Sequence, residues 1–497
     1  MTAPAEPLES FDVLIVGAGL SGIDTACRLK EGRPRKSFVI LEARLAIGGT
    51  WDLFRFPGIR SDSDMPTFGF PFRPFRGRMI ADGASIQRYI EETARAFGID
   101  RHIRFGHRVV SASWSSDEAR WTVEVETDAG RTSFIGRFLS VCSGYYDYQR
   151  GYEPVLPGAD RFAGPIIHPQ HWPEDLTLAG KRVVVIGSGA TAVTLVPELA
   201  KRGADVTMLQ RSPSYILAMP SVDPIGRWLG KLLPPGLTDR LVRWKNIAIS
   251  TLIYGFARRR PAMARRMILK RVSSALGPGH DVERDFGPAY NVWDQRLCLV
   301  PDGDLFAAIR KGRASVVTDT IEAIAEHGIR LSSGRTIDAD VIVTATGLAI
   351  KVMGGIAFDI DGSPQDLSTK LIYKGMMLSG VPNFAFGFGY TNASWTLKCD
   401  LSARYVVRLL EYMDSHGFAS ATPVPGRDVE PRPMVNFTSG YVKRAEAMLP
   451  RQGSRAPWRL HQNYLRDWAG FSFGRIEDGV MQFETEAAPH KKTPQSA

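Results

Sequence analysis

FDVLIVGAGLSGIDTACRL, residues 11–29, decides the fold. An apolar run ends in a glycine turn, a helical pattern with small residues follows, and a second apolar run, FVILE, ends at Glu42. This is a β-α-β unit. Within GAGLSG, Gly17 permits the tight turn, Gly19 lets backbone approach a pyrophosphate, and Gly22 lets the helix pack close to the strand. The helix N-terminus then offers free N–H groups to the anion. Glu42 lies twenty residues beyond Gly22 at the strand end, where its carboxylate can accept hydrogen bonds from both hydroxyls of an unphosphorylated ribose, as in FAD or NAD. A bare glycine turn arises by chance; strand, helix and distal acid together do not.

The pattern recurs in KRVVVIGSGATAVTLVPELA, residues 181–200, with Gly187, Gly189 and then Ala190, Thr191 and Ala192 opening the helix. Here the second strand, DVTMLQ, ends at Gln210, followed by Arg211 and Ser212. A carboxylate at that place would repel a 2′-phosphate, whereas a neutral glutamine with an adjacent guanidinium and hydroxyl accepts one. The second site therefore reads as NADPH-binding and the first as FAD-binding. The economical reading is a flavoenzyme in which NADPH reduces FAD.

A chain of 497 residues at ~150 per domain suggests roughly three domain-sized units. The fold class expected is α/β, with two Rossmann-like dinucleotide-binding domains and a helical insert in the NADPH domain. Residues 1–145 are assigned to the FAD domain, with antiparallel β inserted where residues 108–125 alternate apolar and polar. Prolines 154, 157 and 165 mark a linker near residues 145–175, and 146–220 holds that linker and the first part of the NADPH domain. Residues 221–294 form a basic helical insert, 295–347 return to the NADPH domain with a last strand ending at Gly347, and 348–497 rejoin the FAD domain.

Four widely spaced cysteines without a C-x-x-C pair argue against a disulfide framework, a thiolate metal site and a disulfide reductase, and no metal is expected. The opening MTAPAEPLES lacks a basic and an apolar region, so no signal peptide is expected and the location reads as cytoplasmic. No stretch reads as a transmembrane helix.

With reduced flavin implied and no redox dithiol, the electrons go to oxygen or a soluble acceptor. FAGPIIHPQHWP, residues 162–173, matches the F-x-G-x-x-x-H-x-x-x-W-[P/D] fingerprint of Baeyer–Villiger monooxygenases at Phe162, Gly164, His168 and Trp172. GGTWDLFRFPGIRSD, residues 48–62, matches the family's second fingerprint and includes Thr50, Trp51 and Asp62. The chain resembles this family along nearly its whole length, and in particular its actinobacterial, ethionamide-activating type; it diverges in residues 222–290 and in the last dozen. The resemblance implies an FAD- and NADPH-dependent enzyme in which reduced flavin holds O₂ as a C4a-peroxide. That species converts a hydrophobic ketone to an ester or lactone, or oxygenates a sulfide or thioamide.

The resemblance also assigns roles. Arg296, in WDQRLC, matches the family's active-site arginine, a cation with no proton to give up at working pH. Asp62 sits by the flavin and orients the arginine, the fingerprint residues couple domain motion with His168 as a hinge strut, and Trp395, in NASW, lines the cleft. The alternatives kept open are a sulfur- or nitrogen-oxygenating enzyme without useful ketone activity and, more remotely, a nucleotide-binding sensor without turnover.

Charge is strongly local. The formal net charge is +10, and residues 222–276 carry twelve Lys/Arg against Asp223 and Asp239. Arg240, Arg243, Lys245, Arg258, Arg259, Arg260, Arg265, Arg266, Lys270 and Arg271 interleave with Leu241, Trp244, Ile253, Phe256, Met267 and Ile268. The plain reading is a helical subdomain whose apolar stripe is core and whose basic faces are solvated. The sharper reading is peripheral contact with anionic lipid. Nucleic acid is not an expected partner, since no reader motif accompanies the charge. Oligomeric state is open.

Overall fold

The computed structural model describes residues 8–435 and 437–485. The start of the chain through residue 7 and the divergent last dozen residues lie outside the described residues. The first unit is β1 (Glu9–Val16), α1 (Leu20–Gly32) and β2 (Phe38–Glu42), with Val13 paired in parallel to Phe38. Val13 to Val16 and all of β2 are buried, which is why they read as continuous aliphatic runs rather than as an alternation. β3 (Ile103–Phe105) extends that edge.

β4 (Arg108–Ser115), β5 (Arg120–Thr127) and β6 (Gly130–Val141) form an antiparallel meander. A bulge between Val109 and Ser111 shifts the alternation, so that Val109, Ala112 and Trp114 all turn inward. β6 then runs parallel to β1 and joins the meander to the nucleotide unit in one sheet.

β7 (Ile166–Ile167), β8 (Arg182–Ile186), α2 (Ala190–Lys201) and β9 (Asp205–Gln210) begin the second unit. After β10 (Ile216–Met219) the chain enters α3 (Pro224–Leu232), α4 (Pro235–Arg259), α5 (Pro261–Leu276) and α6 (Val282–Phe286). Pro224, Pro235 and Pro261 each occupy a first helical position, where a missing N–H costs nothing, so proline starts these helices as well as separating them.

β11 (Cys298–Pro301) leaves the insert and pairs in parallel with β10, Cys298 opposite Ile216. β12 (Ala314–Thr318) and β13 (Val341–Thr344) complete a five-stranded parallel sheet in the order β12-β9-β8-β13-β7.

Beyond residue 347 the chain returns to the first sheet. β14 (Ala357–Ile360) pairs with β4, β15 (Phe384–Phe386) pairs with β6, and α7 (Trp395–His416) packs along α1. Two short helices follow, α8 (Gly440–Ala445) and α9 (Tyr464–Phe473).

Two expectations change. The last strand of the second sheet ends at Thr344 rather than Gly347, because the backbone turns there, Ala345 N bonding Val343 O, and residues 345–347 leave the sheet to line a cavity. The proline-rich stretch is more than a linker: Ile166 and Ile167 pair with Ile342 and Val343 as the edge of the second sheet. A two-residue strand between prolines gives no period to read.

Candidate active site

Each glycine loop closes by steric necessity and then leaves an opening. Gly17 has φ +99°, and an added Cβ would lie 2.7 Å from Cys142 O; at Gly22 it would lie 1.8 Å from Gly17 O. Gly19 differs, because a Cβ there would meet Gly49 Cα at 3.6 Å, an ordinary contact. The second loop repeats the pattern. Gly187, at φ +137°, has Ala345 O 2.3 Å from its added Cβ, while at Gly189 that atom would enter open space among the described residues. Gly19 and Gly189 cap α1 and α2 without side-chain hydrogen bonds, so the first-turn amides face the cavity for an incoming anion. Both cradles fit a dinucleotide pyrophosphate.

At the first strand end, Glu42 is buried and accepts from Ala18 N at 2.6 Å and from Arg44 N at 2.8 Å, one bond to each carboxylate oxygen. Burial raises its pKa against the effect of those bonds. The side chain is thus oriented by backbone while it still lines the cavity. At the second strand end, Gln210 does not play the part expected of it. Its side chain is buried and turned back, with Nε2 donating to Asp285 O at 2.7 Å and Thr318 Oγ1 at 2.8 Å. Arg211 and Ser212 remain exposed at the cavity wall, and the Arg211 guanidinium has no partner among the described residues. Any recognition of a 2′-phosphate falls to these two.

The two cradles open into a single cavity of about 860 Å³. Its wall carries Thr50, Trp51, Ala190, Thr191 and Trp395 as well as Asp62 and Arg296. Arg296 Nε donates to Asp62 Oδ2 at 2.6 Å, joining residues 234 positions apart. Burial opposes the arginine's charge, but the Asp62 carboxylate and the surrounding phenols Tyr145, Tyr441 and Tyr146 outweigh it, and its pKa lies above the ordinary value. The cation is therefore permanent.

These three tyrosines are among the residues that reading the sequence missed. Tyr145 and Tyr146 follow β6 and share a hydrogen bond, and burial pushes both phenols up. Tyr145 stacks on Trp395 at 4.8 Å between centroids, and Trp395 Nε1 donates to Ser21 Oγ at 3.3 Å. Tyr441 and Arg444, on α8, reach the cavity from far along the chain, and Arg444 lies over the Tyr152 ring at 3.3 Å. The YY pair after a strand was a readable signal; Tyr441 carried none, because nothing local says where α8 docks.

Gly22 and the linker fingerprint residues Phe162, Gly164, His168 and Trp172 stand away from the cavity wall. Phe162 packs against the core around β8 and β13, and Trp172 against that around α2. A Cβ on Gly164 would lie 2.2 Å from Asp340 O, so the chain touches the second sheet's edge there. His168 is buried, its Nδ1 accepting from Gln170 N at 3.2 Å and its Nε2 3.3 Å from Gly347 O. Gly347 itself lines the cavity, so His168 braces the wall from behind.

Two pyrophosphate cradles opening onto one cavity with a charge-paired arginine define a two-dinucleotide oxidoreductase of the flavoprotein type. The profile of the flavin-binding monooxygenase-like family matches residues 10–224. The chain is 54% identical over 484 residues to the FAD-containing monooxygenase EthA of Mycobacterium tuberculosis, covering 97% of this chain and 99% of that one. It is 47% identical to the probable FAD-binding monooxygenase AlmA of Acinetobacter baylyi, at 97% and 98% coverage. Among solved structures, an oxidized steroid monooxygenase bound to NADP superposes with TM-score 0.74 at 20% identity, over 96% of this chain and all of that one, a likeness of fold. The chain belongs to the flavin-binding monooxygenase family.

Proposed function

We propose that this flavin-binding monooxygenase uses NADPH and O₂ to insert one oxygen atom beside the carbonyl of a hydrophobic ketone, and to oxygenate sulfur in sulfides or thioamides. The observation that carries the reading is the single cavity shared by both cradles and the Arg296–Asp62 pair. When bound, NADPH supplies a hydride and FAD passes the electron pair to dioxygen. The α1 and α2 amides hold the two pyrophosphates, Glu42 accepts from the flavin-side ribose, and Arg211 with Ser212 takes the 2′-phosphate. Arg296, fixed by Asp62, stabilises negative charge developing on oxygen. Tyr145, Tyr146, Tyr441 and Trp395 form an aromatic wall that excludes water and strengthens that interaction.

Product analysis with an aryl ketone and, separately, an aryl sulfide tests this. Ester is the expected ketone product, and sulfoxide without ester selects the sulfur-oxygenating alternative. Bound coenzyme with neither NADPH consumption nor product, whichever substrate is added, would favour the sensor reading. Arg296→Ala should leave flavin reduction intact and lower oxygenation by ~10²-fold or more; unchanged product formation removes the arginine from the mechanism.

The insert is read as a contact for an anionic membrane surface. The expected core stripe is largely not core: Leu241, Trp244, Ile253, Phe256 and Met267 are exposed, and Ile268 alone of that set is buried. Every residue of α3 is half-buried or exposed, Trp228 being 59% exposed. Part of the positive charge is spoken for. Arg243 Nη1 donates to the carbonyls of Pro66, Thr67 and Gly69, while Lys245 pairs with Asp223, Arg258 with Asp294 and Arg265 with Glu283. Arg240, Arg259, Arg260, Arg266, Lys270 and Arg271 have no ion-pair partner among the described residues, and they flank the exposed apolar side chains. Among the described residues no helix is long and apolar enough to cross a membrane. Co-sedimentation with anionic vesicles tests the contact; equal sedimentation of wild type and of a variant with those six residues neutralised removes it.

A further inference from the structure

Arg296 is delivered by a loop between α6 and β11, and that loop is gripped two residues upstream from three directions. Asp294 Oδ1 accepts from Arg258 Nη1 at 2.6 Å, and Oδ2 accepts from Asn291 N at 3.1 Å. The Asp294 carbonyl accepts from Thr438 N at 2.9 Å and from Thr438 Oγ1 at 3.1 Å. Arg258 lies in the last turn of α4, and Thr438 precedes by three residues the Tyr441 that lines the cavity. One residue thus joins the basic insert, the arginine loop and the C-terminal segment.

The preceding residue strengthens the case. Trp293 has φ +74°, a left-handed conformation that a bulky side chain adopts only when its surroundings impose it. Its ring meets Tyr254 edge-on at 5.7 Å. Tyr254 and Arg258 are four residues apart and so share one face of α4. That helix face holds two consecutive loop residues, Trp293 by ring contact and Asp294 by charge, and the strained turn between them aims Arg296 at Asp62.

We infer that Asp294 is a positioning residue for Arg296, docking the arginine loop onto α4 and onto the segment carrying Tyr441. It acts through the guanidinium and touches no reacting atom. A half-exposed ion pair adds little to stability, so its loss should spare the fold while loosening the aim of the cation.

The inference rests on the proposed role of Arg296, and the experiment separates the two. In the full-length holoenzyme, Asp294→Ala, Asp294→Glu, Arg258→Gln and Thr438→Val are compared with Asp338→Ala, which removes a partner of Arg182 away from the cavity. Methyl phenyl sulfide is the probe. Three quantities are read: flavin content, anaerobic flavin reduction by NADPH, and product formed per NADPH consumed.

For Asp294→Ala the first two should stay near wild type while product per NADPH falls ~10-fold, as misplacement of a positioned group does. The balance of NADPH and O₂ should appear as NADP⁺ and hydrogen peroxide. Asp294→Glu should recover part of the yield, Arg258→Gln and Thr438→Val should lose a smaller share, and Asp338→Ala should match wild type. Unchanged yield in a flavin-replete Asp294→Ala overturns the inference. If that variant loses flavin, Arg258→Gln and Thr438→Val decide, and wild-type yield in both overturns it. Wild type that reduces flavin yet forms no product would instead indict the function itself.

Discussion

A guanidinium at a strand end tells coenzymes apart only if nothing nearby has already claimed its charge. Arg211 meets that condition, being exposed at the cavity wall without a partner among the described residues. Arg211→Ala should raise KM for NADPH about 10- to 100-fold, with little change in kcat and little effect on KM for NADH. Steady-state kinetics with both coenzymes checks this, and equal losses for the two would assign Arg211 to something other than the 2′-phosphate. The neighbouring Gln210 shows how a correct motif can hide a wrong atom. The strand end was legible, but not that the amide is consumed by Asp285 O and Thr318, because those partners come from distant elements.

His168 carries a pH signature at the same scale. Burial lowers its pKa despite the bond to Gly347 O. The folded chain then takes up a proton less readily than the unfolded one, so stability is full above the ordinary value of 6.5 and is lost as pH falls from there toward the folded value. Melting temperature should therefore drop more for wild type than for His168→Gln between about pH 7.5 and about pH 5.5; parallel curves would show the ring to be indifferent.

Elements explain why the two nucleotide units were the easiest part to read. A strand, a glycine turn and a helix are contiguous, so their whole geometry is written within about thirty residues. The same units predict opposite fates for two glycines. Gly22→Ala drives a methyl into Gly17 O at 1.8 Å, where backbone must move, and should cost several kcal/mol, lowering melting temperature and flavin content together. Gly189→Val places its side chain in open space, so melting temperature should hold while KM for NADPH rises ~10-fold or more as the pyrophosphate is displaced. Thermal melts beside coenzyme kinetics separate the two; a destabilised Gly189→Val would mean the second cradle is closed by protein rather than kept for ligand. β7 and α8 were not legible by the same logic. Two isoleucines between prolines and a six-residue helix after a long irregular stretch acquire meaning only from the sheet edge and the cavity they reach.

At the scale of the molecule, the positive charge and the uncovered apolar surface fall on the same helices. Leu252 on α4 is 71% exposed, and Phe473, at the end of α9, is 74% exposed. The two helices touch through Trp244 and Trp468, whose rings are 5.7 Å apart, so the apolar surface runs from the insert onto the C-terminal region. The sequence announced the charge, and of its two readings of the apolar residues the plainer one placed them in a core. Amphipathic spacing shows that one face is apolar and leaves open what covers it.

Charge and apolar area make separable contributions to lipid binding. Lys and Arg near an anionic surface attract over a Debye length and weaken with salt, whereas inserted side chains do not. Replacing Trp228 and Leu252 by Asp should leave weak vesicle binding that salt abolishes. Neutralising those six basic residues together with Arg227 and Lys231, which also have no ion-pair partner among the described residues, should leave weak binding that salt barely alters. Turnover of a water-soluble sulfide should match wild type in both, since neither set lines the cavity. Vesicle sedimentation across a salt series reads both slopes at once. Identical salt dependence in the two variants would mean that the apolar and basic residues do not meet one surface, and the exposed face of the insert would then have to be covered by protein.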